Sequence, residues 1–255
     1  MRSWAIVTGA TAGIGESFTR LLAANNYNIV LVARDLARLN ERAAGLQAAY
    51  GIETVVLQAD LSTDVGCALI EEYITSHEID VLINNAGFGI KKAFTVSDLA
   101  DEQNLLDVLV RTPMRLMHVA LKAMKSRNKG VIINVSSVAG FIAGGTYSAS
   151  KSYLTVLSES LHTELAATNI KVSALCPGFT RTEFHQRGGM SMKGLPAFMW
   201  LSSDTLVEKS WIDALKGKAI SIPGLQYQVL SFVMRFAPRP FVRKIGMKVR
   251  TKQRR

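Results

Sequence analysis

Tyr147 and Lys151 are the pair whose residue types and spacing point most directly to chemistry. On a helix, residues at i and i+4 share a face. An ammonium fixed beside a phenol favours the phenolate and lowers the tyrosine pKa from about 10. A tyrosine tuned that way exchanges a proton with an alcohol or carbonyl oxygen near neutral pH. Ser137 closes the upstream run Asn134-Val135-Ser136-Ser137, and its hydroxyl can hydrogen bond the same oxygen. Alone, the Tyr/Lys spacing fits two surface residues of an ordinary helix equally well, so the flanking elements decide.

Those elements read clearly. The apolar run Val131-Ile132-Ile133 predicts a buried strand leading into the serines. Tyr147, Leu154, Leu157, Leu161 and Leu165 recur at helical spacing. A strand end would therefore carry Ser137, and a helix face would carry Tyr147 and Lys151.

At the other end of the chain, Ala5-Ile6-Val7 predicts a strand running into Thr8-Gly9-Ala10-Thr11-Ala12-Gly13-Ile14-Gly15. A helical pattern follows through Phe18, Leu21 and Leu22. Glycines at 9, 13 and 15 permit a tight turn and close packing, and the helix N-terminus offers free N–H groups to a phosphate. Gly9, Thr11, Gly13, Ile14 and Gly15 are thus expected to face a dinucleotide. The next strand, Asn28 to Ala33, ends where such a fold reads the adenosine ribose. An NAD site places an acid there. Here Ala33 is followed by Arg34, and a guanidinium suits a 2′-phosphate, so NADP(H) is the expected cofactor.

Leu36 to Tyr50 predicts an amphipathic helix and Thr54 to Leu57 a third strand, with Asp60 and Leu61 at its end beside the adenine. Ile79 to Ile83 predicts a fourth strand, closed by Asn84-Asn85-Ala86-Gly87. Asn85, Ala86 and Gly87 would keep that loop open near the cofactor, while the asparagines tie strand ends together. A later strand, Ile170 to Leu175, runs into Cys176-Pro177-Gly178-Phe179-Thr180-Arg181-Thr182. Strands alternating with helices predict a single α/β domain with a doubly wound parallel sheet of Rossmann type.

Composition sets bounds. The chain has 255 residues, 48% hydrophobic and 20% charged, enough for one large domain with a full core. Cys67 and Cys176 form no ligand spacing and suit buried positions in a reducing compartment. No leader precedes the first strand and no long uncharged apolar run occurs, so a cytoplasmic location is expected. The net charge is +10, yet nine of the 30 basic residues and none of the 20 acidic ones lie between Arg235 and Arg255. The body is nearly neutral, and no nucleic-acid role follows. His77, His118, His162 and His185 form no metal spacing.

Taken together, Thr8-Gly9-Ala10 with Gly13, Asn84-Asn85-Ala86-Gly87, Ser136-Ser137, Tyr147-x-x-x-Lys151 and Pro177-Gly178 resemble the short-chain dehydrogenase/reductase superfamily over residues 3–183. The resemblance implies hydride transfer between a nicotinamide and a carbonyl or alcohol. It implies Tyr147 as acid/base, Lys151 as the group that tunes it and holds the nicotinamide ribose, and Ser137 as the group that orients the carbonyl. Pro177, Gly178, Thr180 and Thr182 would line the carboxamide and pyrophosphate side. It also implies a homodimer or homotetramer through helices near residues 104–125 and 147–167. Two departures stand out. The family's further catalytic asparagine falls on Leu109 here, and Asn104 lies more than a helical turn earlier. The Ser137–Tyr147 interval is also short, its loop reduced to residues 140–145.

Residues 183–225 are expected to form a helical substrate lid, with Phe184, His185, Met190, Met192, Leu195, Phe198, Met199, Trp200 and Leu201 suiting an apolar ketone, aldehyde or 3-oxoacyl substrate. Residues 226–255 form a basic apolar tail in which Pro238 and Pro240 break any single helix, and peripheral contact with a membrane surface is one expectation for it. Leu109 leaves a second functional class open, a non-catalytic NADP-binding sensor or scaffold.

Overall fold

In the computed structural model of the chain, residues 2–189 and 195–254 are described. The first half alternates strand and helix: β1 (Trp4–Thr8), α1 (Gly13–Ala24), β2 (Asn28–Ala33), α2 (Leu36–Tyr50), β3 (Thr54–Gln58), α3 (Asp64–Ser76) and β4 (Ile79–Asn84). α4 (Leu99–Leu106) then passes through a π-helical turn, Asp107–Arg111, into α5 (Thr112–Arg127). β5 (Gly130–Val135), a 3₁₀ turn (Val138–Phe141), α6 (Thr146–Glu164) and β6 (Ile170–Leu175) complete the stretch that carries the motifs. Beyond it lie α7 (Phe184–Arg187), a 3₁₀ turn (Ala197–Met199), α8 (Ser203–Leu215), β7 (Ile220–Ser221), α9 (Leu225–Phe236) and α10 (Arg239–Arg254).

Local chemistry explains several of these limits. Asp35 caps α2, its carboxylate accepting from the Arg38 N–H at 3.0 Å, and Thr63 caps α3 by accepting from the Gly66 N–H at 3.0 Å. Gly51 ends α2 in the left-handed conformation at φ 60°. Pro238 stands between α9 and α10, and Pro240 falls in the first turn of α10, where a missing N–H is tolerated.

All seven strands are parallel, in the order β3-β2-β1-β4-β5-β6-β7. Strand side chains alternate between faces, so Ala5 and Val7 join one core and Ile6 the other. On the first face Phe18 and Leu22 of α1, Leu39 and Leu46 of α2, and Leu206, Val207 and Trp211 of α8 pack together. On the second, Ile70 and Ile74 of α3, Leu116, Met117 and Met124 of α5, and Leu154 of α6 do the same. This is the expected doubly wound α/β sheet.

The expected lid over 183–225 is narrower. α8 belongs to the core through Trp211, and β7 extends the sheet beside β6. A run of apolar residues cannot by itself distinguish a cover from a core helix. Met190 and Met192 lie outside the described residues, as does the side chain of His185.

The strand order reverses between β1 and β4. Ligands bind in such sheets at the carboxyl ends flanking the reversal. There Thr8, buried, accepts from the backbone N–H groups of Asn85 and Ala86 at 2.9 and 3.0 Å and donates to the Ile83 carbonyl at 3.2 Å. The Asn85 amide donates back to the carbonyls of Thr8 and Gly9 at 2.9 and 3.2 Å. Thr8→Val keeps the shape but orphans two backbone donors. It should cost about 2–3 kcal/mol in urea unfolding, with Thr8→Ser much closer to wild type.

Candidate active site

A cleft of about 860 Å³ opens along the carboxyl edge of the sheet. At one end lies the turn after β1. Gly9 takes φ +65°, and a Cβ on Gly15 would stand 2.2 Å from the Gly9 carbonyl oxygen, so both positions require glycine. The N-cap of α1, Ala12, provides no side-chain cap, which leaves the first N–H groups of the helix available to an anion. Thr11, Gly13 and Ile14 line this end of the cleft with Arg34, Asp60 and Leu61. The backbone N–H of Ser62 holds the Asp60 carboxyl below the usual carboxylate range.

Sequence reading missed Arg38. It lies in the first turn of α2, four residues after Arg34, lines the same end of the cleft, and donates to the Thr11 carbonyl at 3.3 Å. It also pairs with both carboxylate oxygens of Glu183 at 3.2 and 3.0 Å. The i, i+4 spacing of two arginines at a helix start was the available signal. Asn85, Ala86 and Gly87 line the middle of the cleft, and Pro177, Gly178, Thr180 and Thr182 line its far wall. Gly15 is the one expected cofactor residue that does not face the cleft; its role is close packing beneath the turn.

Ser137, Tyr147 and Lys151 meet on the floor. β5 delivers Ser137 just beyond its end, and α6 carries the other two on one face. Ser137 lies near enough to the phenol to pull its pKa down, so the shortened loop does not remove it from reach, and its hydroxyl donates to the Pro177 carbonyl at 3.4 Å. The sheet and helix fix both positions, and Gly140 lets the 3₁₀ turn sit against the backbone of Lys151 and Ser152.

The electrostatics depart from expectation. Lys151 is buried, and its Nζ donates to the Val135 carbonyl at 2.7 Å. It lies 5.7 Å from the centroid of the Tyr147 ring. Tyr147 keeps an edge open to the cleft but is otherwise surrounded by protein. Burial pushes its phenol up to about 12, against a downward pull from Ser137. Burial likewise pushes Lys151 down to about 8. In the protein alone, desolvation outweighs the ammonium's attraction for a phenolate. The neighbouring Cys176 thiol is pushed up to about 11 by burial and stays inert.

Leu109 sits in the π-helical turn, fully buried, facing a small void beside Lys151. A Cβ on Gly87 would stand 2.7 Å from its Cδ2. The family's asparagine position is apolar here, and Thr8, Asn84 and Thr112 are the uncharged polar residues that line the void with it. Asn104 faces the main cleft instead. Its Oδ1 and the Ser231 Oγ of α9 are buried with no hydrogen-bond partner, and both residues line the cleft from opposite sides. Such atoms await a polar partner.

Beyond Tyr147 the lining turns apolar, with Ile142, Phe184, Met199, Leu230, Met234 and Ile245. Phe184 of α7 reaches the Tyr147 ring at 5.9 Å between centroids. Tyr227, fully buried, anchors this cover: its hydroxyl accepts from the Phe179 N–H at 3.0 Å and donates to the Met199 carbonyl.

The uncapped helix end, the paired arginines and the tyrosine–lysine floor together fit a nicotinamide dinucleotide. Comparison with known proteins agrees. The family model for short chain dehydrogenase matches residues 3–190. The very-long-chain 3-oxoacyl-CoA reductase of Rattus norvegicus is 32% identical over 187 residues, 71% of this chain but 60% of that protein. Among solved structures, a short-chain dehydrogenase from Sphingobium yanoikuyae in complex with NADPH is 30% identical with a TM-score of 0.84, covering 91% of this chain and 93% of that one. The bulky-bulky ketone specific alcohol dehydrogenase from Comamonas testosteroni is 28% identical with a TM-score of 0.79, covering 93% and 95%. On sequence, fold and site geometry alike, the chain belongs to the short-chain dehydrogenase family.

Proposed function

We propose that this protein is an NADP-dependent oxidoreductase acting on an apolar carbonyl compound or the corresponding alcohol. The observation that carries the reading is the meeting of Ser137, Tyr147 and Lys151 between an anion-binding end and an apolar end of one cleft. The α1 N-terminus would hold the pyrophosphate, Arg34 and Arg38 the 2′-phosphate, and Asn85 to Gly87 with Pro177 to Thr182 the nicotinamide half. NADPH held there would be the source of the hydride for the carbonyl carbon. Tyr147 gives its phenolic proton to the carbonyl oxygen, and Ser137 donates a hydrogen bond to the same oxygen. Lys151 stabilises the phenolate left behind. The apolar wall from Ile142 to Ile245 favours a long or bulky ketone, aldehyde or 3-oxoacyl substrate, in keeping with the names of the relatives.

The domain reading is one body with a cover formed by residues around α7 and α9 and a basic tail in α10. Exposed Leu99, Leu106, Met114, Tyr153 and Val156 on α4, α5 and α6 support a homodimer or homotetramer through those helices. Buried Cys67 and Cys176, with no disulfide, support a cytoplasmic location. Among the described residues no helix is long and apolar enough to cross a membrane.

The test begins with cofactor titration followed by nicotinamide fluorescence. NADPH should bind at least about tenfold more tightly than NADH, and the gap should vanish in the Arg34→Ala/Arg38→Ala double variant. With NADPH bound, a panel of long-chain and bulky carbonyls should be reduced, and Tyr147→Phe should lower kcat by about 10² or more. Leu109 favours the second reading, a cofactor-binding sensor or scaffold. Tight NADPH binding without turnover on any carbonyl would establish that one instead.

A separate prediction concerns stability. Lys151 has a folded pKa near 8 against 10.5 unfolded. Between those values the unfolded chain binds more protons, so stability rises with pH. Below about pH 8 the full penalty of a buried ammonium is present. Lys151→Met should therefore stabilise the protein by about 1–2 kcal/mol at pH 7, with the gain shrinking as pH approaches 10.5. Urea midpoints at pH 7 and 10 compare the two.

A further inference from the structure

α9 has two working faces. Tyr227, Leu230, Ser231 and Met234 turn inward and line the cleft. Leu225, Val229, Phe232 and Phe236 recur on the opposite side and are 73%, 56%, 65% and 74% exposed. Phe198, also exposed, extends this outer stripe, since its carbonyl accepts from Gln226 at 3.1 Å. α10 repeats the pattern. Val242 is buried and Ile245 and Gly246 line the cleft, while Phe241 and Met247 face outward. Gly246 makes this seating possible, because a Cβ there would stand 2.3 Å from the Ala143 carbonyl oxygen. One pair of helices thus forms the wall of the cleft on its inside and an apolar surface on its outside.

Cations surround that surface. Arg235 is held in place by Glu159 at 3.6 Å and by the Phe141 ring at 5.2 Å. Arg239, Arg243 and Lys244 are exposed beside Phe236, Phe241 and Met247. No acidic residue occurs from Arg235 to Arg255. Exposed aromatics at helical spacing, bordered by one sign of charge, match the boundary between lipid headgroups and acyl chains.

We infer that the outer face of α9 and α10 docks on an anionic membrane surface. A second copy of the chain fits this face poorly. Two-fold pairing would set Arg239, Arg243 and Lys244 against their own copies, with no acidic residue between Arg235 and Arg255 to offset them. Docked this way, the cover touches lipid on one side and the cleft on the other, so an apolar carbonyl compound reaches Tyr147 without crossing bulk water. That last consequence rests on the carbonyl-reductase reading; the docking does not.

Co-sedimentation of the full chain with phosphatidylcholine vesicles, with and without phosphatidylserine, tests the inference. The protein should pellet with the anionic vesicles and be released as salt rises. Phe232→Glu/Phe236→Glu and Arg239→Glu/Arg243→Glu/Lys244→Glu should each weaken binding by on the order of tenfold or more. Circular dichroism melts and NADPH titrations of the same samples should be unchanged, which separates lost docking from lost folding. Failure of NADPH to bind the wild type would sink the proposed reaction and leave docking standing. Docking itself is refuted if the wild type stays in solution with anionic vesicles at low salt, or if the phenylalanine variant pellets as well as wild type. Conversion of a dimer to a monomer by that variant, with no vesicle binding by wild type, would likewise overturn it and make the face a self-interface.

Discussion

An ammonium with almost no access to solvent sits at the centre of this molecule. Lys151 is held in place because the Val135 carbonyl accepts a hydrogen bond from its Nζ at 2.7 Å and because α6 is clamped to β5 around it. The clamp is polar and complete: Ser136 donates to the Lys151 carbonyl at 2.7 Å and shares a second hydrogen bond of 2.7 Å with Thr155. Deeper still, the Asn134 amide joins Ser158 at 2.8 Å and receives from Asn84 at 2.9 Å. These bonds tie β4, β5 and α6 into one unit. A buried cation and a buried polar network are both costly when incomplete. The position of Tyr147 follows from that unit rather than from its own contacts, which is why a shortened loop leaves Ser137 in reach.

The same burial sets what the protein can do unaided. A phenol pushed up to about 12 and an ammonium pushed down to about 8 are both biased towards their neutral forms. That arrangement suits proton donation to a carbonyl oxygen, since the tyrosine begins protonated. It suits proton abstraction from an alcohol only once further positive charge enters the site. Leu109 reinforces the bias by presenting an apolar side chain to the small void beside Lys151. At the opposite end Arg38 is engaged by Glu183, so an arriving phosphate competes with a carboxylate for the same guanidinium. Glu183 leads directly into α7, whose Phe184 touches the Tyr147 ring. The two ends of the cleft are therefore joined through two consecutive residues, Glu183 and Phe184.

Much of this was legible in the sequence because it depends on short-range rules. Glycine at 9 and 15 is a backbone requirement, and so it shows as a residue type. Strand periodicity located six of the strands, and the i, i+4 relation placed Tyr147 and Lys151 on one face. What stayed hidden depends on neighbours distant in the chain. The sign of the Tyr147 shift is set by how much protein surrounds it, and residue spacing carries no measure of that. Arg38 looked like an ordinary helix residue until the fold set Glu183 and the Thr11 carbonyl beside it. Trp211 and Phe232 are both aromatic helix residues, yet one is core and the other is open to solvent.

That contrast decides how the C-terminal region should be understood. α8 spends its apolar residues on the sheet, as an ordinary Rossmann helix does. α9 instead uses small and intermediate inward groups, Ser231 and Met234 beside the anchored Tyr227, and leaves its phenylalanines outside. A helix needing only to cover the cleft would gain nothing from exposed Phe232 and Phe236, whose contact with water is unfavourable. Their retention beside a stretch without acidic residues is economical only if the outer face meets a second apolar phase. On the docking inferred above, substrate preference would have two sources in one element: the inner face would select by shape, and the outer face by the phase from which the substrate comes.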